Sequence, residues 1–149
     1  MENKLVIHEN NFDKARNLIK ENSGKNIIFY SDDDEINRKI LEKTDTHTLL
    51  LNQMGRKDFQ KQRNSGFNQI LAKLAKKKNI TIGINLDEII KSSEKEKAQI
   101  LARIMQNIKL CNKEKLKMKF IYKNHKRNLY DLKSLGLILG MPTWMVKEL

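Results

Sequence analysis

Seven cations fall in two short stretches, each following an apolar run. The first stretch, Asn52–Ser65 (NQMGRKDFQKQRNS), carries Arg56, Lys57, Lys61 and Arg63. The second, Lys123–Asn128 (KNHKRN), carries Lys123, Lys126 and Arg127. Asp58 is the one acid in the two. Guanidinium and ammonium groups interleaved with Asn and Gln suit phosphate and 2′-hydroxyl contacts. Loops that are merely polar would mix both signs. The expected ligand is RNA or another polyanion. Lys73 and Lys76 follow on a helical stretch and join the candidates. Lys78 reads as surface, and lysines at a helix C-terminus also answer its dipole. Arg103 and Lys109 fit a solvated helix face.

The other reactive residue types do not cluster in sequence. His8, His47 and His125 are single and far apart. His47 lies inside an apolar run, packed or at an edge. Asp32–Asp34 could hold Mg²⁺, but their simpler role is a helix cap and first-turn charge. A small metal-dependent phosphoesterase using His8, Asp32 and His125 is the rival reading. It lacks the usual ligand spacing, so no bound catalytic metal and no catalytic residue is expected. No phosphate-binding glycine loop or nucleophile elbow is present. The lone Cys111 excludes an intramolecular disulfide and fits a core position. Phe67 fits the core better than a stacking platform. Tyr122 could stack on a base or pack. Trp144 and Met145 could anchor the last helix or a partner.

The chain of 149 residues carries 30 Lys+Arg against 18 Asp+Glu, a net charge of +12. Residues 1–55 hold 8 cations and 10 acids; residues 56–149 hold 22 and 8. The basic excess therefore belongs to the later two-thirds, which favours a polyanionic partner there. No apolar run approaches the ~18 residues of a membrane helix. The opening MENKLVIHENN has no long apolar core, so no signal peptide and a cytoplasmic setting are expected.

The elements that would position these loops alternate. Strands are expected at Lys4–His8, Asn26–Tyr30, Thr46–Leu51, Ile80–Ile84 and Lys117–Tyr122. Between them, helical stripes run through Phe12–Ile19, Ile36–Leu41, Phe67–Leu74 and Ala98–Cys111. Asp32 or Asp33 caps the second of these helices. A helix over Asp131–Leu139 ends at Gly140, and Pro142 suits the first position of a short terminal helix. Strict alternation predicts an α/β fold with a parallel sheet and right-handed crossovers. It could be an open doubly wound sheet or an incomplete barrel, since a full eight-fold barrel needs about 200 residues or more. Either way, ligands bind beyond the carboxyl ends of the strands, where both cationic loops begin. Residues 1–149 read as a single domain.

One segment carries a resemblance. Arg63–Leu86 (RNSGFNQILAKLAKKKNITIGINL) resembles the ribonuclease P protein component 3 family, the archaeal relatives of a eukaryotic nuclear ribonuclease P subunit. Gly66, Phe67, Asn68, Ile70, Leu71, Ala72, Lys73, Leu74, Ala75, Asn85 and Leu86 match its pattern. The likeness continues through Arg103–Cys111 (RIMQNIKLC) and Arg127–Met141 (RNLYDLKSLGLILGM). It is strong over residues 60–149 and weak over residues 1–50. Gln69 stands where the family often has His, Leu129 replaces a Pro, and Tyr122–His125 replaces a Ser-rich stretch. Beside the family pattern the chain is short at its N-terminus, and the family's first strand–helix units are not expected in it.

The resemblance implies a TIM-barrel-like fold, shortened here to about five strand–helix units. It implies an RNA-binding subunit of the ribonuclease P endoribonuclease, which removes 5′ leaders from precursor tRNA. The RNA and its Mg²⁺ would cleave, and this chain would bind no cofactor itself. Its partners would be the ribonuclease P RNA, protein component 2 and precursor tRNA. The expected RNA-contacting residues are Arg56, Lys57, Arg63, Asn68, Lys73, Lys76, Lys123, Lys126 and Arg127.

Overall fold

Asparagine and aspartate set most of the helix starts. In the computed structural model, which describes residues 4–149, the side chains of Asn11, Asp33, Asn68, Asn85 and Asn128 each accept a hydrogen bond from a first-turn amide. Such caps satisfy donors that a helix leaves unpaired. They start α1 (Phe12–Glu21), α2 (Asp34–Lys43), α3 (Gln69–Lys77), α4 (Leu86–Lys91) and α6 (Leu129–Ile138). The long α5 spans Glu94–Lys113, and α7 spans Thr143–Lys147 with Pro142 at its N-cap. Asn128 starts α6 two residues earlier than the apolar pattern alone suggests.

Five parallel strands alternate with these helices: β1 (Lys4–His8), β2 (Asn26–Tyr30), β3 (Thr48–Leu51), β4 (Thr81–Asn85) and β5 (Met118–Ile121). Their spatial order is their sequence order, β1-β2-β3-β4-β5. A doubly wound sheet needs a reversal of strand order, so that arrangement is excluded. Sequential parallel strands with right-handed crossovers put every helix on one face, as in the arc of a barrel. β1 and β5 do not pair with each other, so the arc is open.

Strand alternation then sorts the side chains. Ile7, Ile27, Phe29, Leu49, Leu51, Ile82, Ile84, Met118 and Phe120 face the helices and join one core. Val6, Ile28, Leu50, Gly83 and Ile121 lie on the opposite face. No helix among the described residues covers that face, and Val6 is 53% exposed. A Cβ on Gly83 would stand 3.1 Å from the Ile121 side chain and 3.2 Å from that of Leu50. The glycine lets these two close over β4.

Two helical stripes differ from the pattern of apolar residues. On α3, Ala72 and Ala75 are fully buried while Ile70 is 77% exposed. On α5, the buried face includes Arg103 and Asn107 among Ile100, Ile104, Ile108 and Cys111, and Met105 is exposed. The polar pair is inside because it serves a loop, described below. His47 precedes β3 rather than lying in it, and its Nδ1 accepts from the Ile27 amide at 3.1 Å. Lys78 is not simply surface: its ammonium donates to the Glu42 and Thr44 carbonyls at 2.6 and 3.2 Å.

Cys111 is fully buried in this core, and burial pushes its thiol up to about 12. Alkylation by iodoacetamide in native buffer should therefore proceed only as fast as the core opens. Rapid labelling without denaturant would show that α5 opens locally.

Candidate nucleic-acid interface

The loop after β3 has little regular structure, so its shape must come from side chains. Arg103 supplies most of it. Its guanidinium is 2% exposed and reaches from α5 into the loop. Nε donates to Asp58 Oδ1 at 2.9 Å, one terminal nitrogen to the Gln53 carbonyl at 2.9 Å, and the other to the Arg56 carbonyl at 2.7 Å. A planar fork of donors is what three such acceptors require. Its neighbour one turn on, Asn107, donates to the Ser65 carbonyl at 3.3 Å, as does Gln53 at 2.9 Å. The loop is thus held at its start, middle and end from a single helix.

Two further contacts complete the frame. Arg56 grips Asp34 of α2 with both terminal nitrogens, at 2.7 and 2.8 Å, and its Nε donates to the Asn52 carbonyl at 2.7 Å. Gly66 sits beside that pair at φ +75°, and a Cβ there would lie 2.6 Å from the Arg56 guanidinium. Glu88 of α4 accepts the Gln53 amide at 2.8 Å. Burial raises its carboxyl pKa, and the Gln53 and Met54 amides only partly offset this. Asp58 moves the other way. The hydrogen bond from Arg103 holds its carboxyl below the usual range against a cost of burial, with help from the Asn64 amide.

The loop after β5 is built on one carboxylate. Asp87 accepts the amides of Lys123, Asn124 and His125 at 2.8, 3.3 and 3.0 Å. It also accepts from His125 Nδ1 at 2.8 Å. Burial opposes its charge, but these donors prevail and its pKa is lowered. Asn85 Nδ2 donates to Asn52 Oδ1 at 2.9 Å, tying the ends of β3 and β4 together. The two cationic loops therefore stand on one rim, joined through Asn52, Asn85 and Asp87.

On that frame the sequence candidates separate. The Lys57, Lys73, Lys123 and Lys126 side chains are exposed, and no hydrogen bond or ion pair holds them among the described residues. Lys61, in the same loop as Lys57, is equally unheld. Arg63 is 48% exposed and leans on Asp58 at 3.4 Å. Arg127 donates only to the neighbouring Lys126 carbonyl at 3.1 Å. Lys76 is exposed and donates to the Lys115 carbonyl at 3.1 Å from the far end of α3. Arg56 is committed to Asp34, and Asn68 to capping α3. Arg103 and Asp87 are the residues that sequence reading missed. The signal for Arg103 was present: it shares a helical face with Ile100, Ile104, Asn107 and Cys111.

The histidines do not converge. His8 Nε2 donates to Asp32 at 3.1 Å, and its ring stacks on Tyr30 at 4.4 Å. His125 is engaged by Asp87 instead. Among the described residues, no three His, Cys, Asp or Glu side chains are grouped to hold a metal ion.

No family profile matches the chain. It is 29% identical over 111 residues to ribonuclease P protein component 3 of Methanococcus vannielii, covering 73% of this chain and 46% of that protein. It is 25% identical over 133 residues to the protein of the same name from Methanococcus maripaludis strain C7, covering 89% and 53%. The chain is similar to ribonuclease P protein component 3 over these spans. It spans about half the length of these component 3 relatives. A chain in a cryo-EM structure of archaeal ribonuclease P with mature tRNA shares its fold, with a TM-score of 0.79 and 24% identity. That match covers 95% of this chain and 62% of the other.

The component 3 pattern now has physical reasons. Gly66 makes room for Arg56, Phe67 enters the core, Asn68 and Asn85 cap helices, and Ala72, Ala75 and Leu86 are buried. Ile70 and Lys73 are exposed, and the fold gives no reason for them.

Arg103→Met is expected to cost about 3–5 kcal/mol, because it breaks a buried ion pair on one side and orphans two carbonyls. Chemical denaturation measures it, and a loss below 1 kcal/mol would contradict the role given to this residue. The pH dependence follows from the depressed Asp58 pKa. Its contribution is present above the unfolded carboxylate pKa of about 3.9 and is lost as pH falls through the lower folded value. Asp58→Asn should flatten that acid limb.

Proposed function

We propose that this chain is an RNA-binding subunit of ribonuclease P. It would support the catalytic RNA and its Mg²⁺ in removing 5′ leaders from precursor tRNA, with protein component 2 as a neighbour in the holoenzyme. Residues 1–149 would act as one component 3-like unit, in the cytoplasm. The observation that carries this reading is the rim itself. Two rigidly built loops present Lys57, Lys61, Arg63, Lys123, Lys126 and Arg127 at the strand ends, with acids spent on holding the frame. A solvated lysine surface needs no such frame. The similarity to component 3 supports the same reading from an independent direction.

The division of labour among the candidates follows from their bonds. Lys57, Lys73, Lys123 and Lys126 would neutralise phosphates directly, with Arg63 and Arg127 able to turn from weak contacts toward the same ligand. Lys76 would add charge from the far end of α3. Arg56 and Asn68 would act mainly by shaping the loop and the helix start. No residue of this chain is assigned a catalytic step. The rival phosphoesterase reading needs His8, Asp32 and His125 together, and they are held in two separate pairs.

Cleavage of precursor tRNA at limiting Mg²⁺ tests the proposal. Rescue is expected only when this chain is added to the cognate RNA with its other protein components. Cleavage by the chain alone would overturn the reading. Neutralising Arg63 or Arg127 should lower activity mainly at limiting Mg²⁺ and leave the fold intact. Equal activity across a Mg²⁺ titration would remove those residues from the interface. Binding to the RNA should weaken steeply with salt. Lys57→Ala and Lys126→Ala should each reduce the slope of log K against log salt by about 0.7–0.9. An unchanged slope would place that lysine away from the phosphates.

A further inference from the structure

Phe59 is a large aromatic side chain left 59% exposed in the middle of the cationic loop. The loop is not free to bury it elsewhere. Asp58, its immediate neighbour, is fixed by Arg103 at 2.9 Å and by the Asn64 amide at 3.0 Å. Arg56 is fixed to Asp34. The ring is therefore displayed from a rooted segment, with Lys57 and Lys61 two residues away on either side.

Beside it runs a groove of about 240 Å³ between the loop and the start of α2. Its lining includes Phe59, Gln62, Arg63 and Asn64 from the loop and, on the α2 side, Asp34 and Glu35, which are ion-paired with Arg56 and Arg38. The Gln62 amide has no hydrogen-bond partner among the described residues, and Asn64 uses only its side-chain oxygen, toward Arg56 at 3.4 Å. The groove thus combines an aromatic face, uncommitted amide donors and acceptors, and a half-exposed guanidinium.

We infer that Phe59 is a stacking platform for an unpaired RNA base, with Gln62 and Asn64 facing the base edge and Arg63 the adjoining phosphate. The inference deepens the RNA-binding reading above and rests on it. The chemistry selects the occupant. In a duplex the base faces are hidden by stacking, so an aromatic ring is useful only against a base that is splayed out. Aromatic stacking beside a basic track is the recurring device for single strands. A protein partner would also cover Phe59, but an apolar contact alone gives no role to the surrounding cations. A ring held in place before binding also avoids part of the ordering cost.

The test uses the full chain and a short single-stranded RNA carrying one 2-aminopurine, compared with the same RNA in a duplex. Stacking should quench the fluorescence of the single strand and not that of the duplex. Phe59→Ala should weaken binding about 5- to 100-fold and abolish the quench, the range expected for one lost stack. Phe59→Tyr should retain both, whereas Phe59→Leu, which keeps apolar bulk without the ring, should lose them. Because the side chain is exposed, the thermal midpoint of all three variants should stay near wild type. Two failures are distinguishable. Salt-dependent binding of the RNA with no quench, unchanged by Phe59→Ala, would overturn the stacking platform and leave the RNA-binding reading standing. No binding of the RNA by the wild-type chain even at low salt would overturn both.

Discussion

The structure depends most on a buried cation. Arg103 brings a charged fork into the core side of α5 and donates from Nε and from each terminal nitrogen to the loop after β3. A buried charge is tolerable only when it is paired and hydrogen-bonded. Asp58 and two carbonyls meet that requirement. The same three contacts give an otherwise irregular loop a defined shape. The exposed cations and Phe59 take their positions from this buried one.

A second constraint comes from strand order. Because β1 to β5 lie in sequence order, the helices crowd one face of the sheet and the strand ends form one continuous rim. The two cationic loops follow β3 and β5, and the end of β4 lies between them. There α4 follows β4 directly, and Asn85 at the strand end and Asp87 in the first turn of the helix hold the loops on both sides. Among the described residues, the opposite face, with Val6, Leu50 and Ile121, carries no helix. The arrangement matches the arc of a barrel rather than a two-sided sheet.

The cations near the rim divide into builders and presenters. Arg103 and Arg56 are builders, engaged by the carboxylates of Asp58 and Asp34. Lys57, Lys61, Lys123 and Lys126 are presenters, on long stems with nothing to hold them. Net charge cannot make this distinction, because it counts both kinds alike. It also explains why one acid among the loop cations does not cancel the field there. The charge of Asp58 is matched by Arg103 at 2.9 Å.

Legible along the chain were the alternation of five strands with helices, the parallel sheet, the rim on which the cationic loops stand, and a likeness to component 3. These are local or periodic properties: apolar runs, Asn and Asp caps, and a run of matching residues such as Gly66–Ala75. The sequence also placed Cys111 and Phe67 in the core correctly. That the sheet is an open arc and not doubly wound emerged from the three-dimensional packing, because alternation fixes handedness but not strand order. That packing alone turned Arg103 and Asn107 inward and Ile70 outward. Residue type argues against a buried arginine, and the carbonyls that make it stable come from residues 47 and 50 positions away. The frame of the interface is built from such distant pairs, Arg56 with Asp34 and Asp87 with His125 among them, and no spacing along the chain records them.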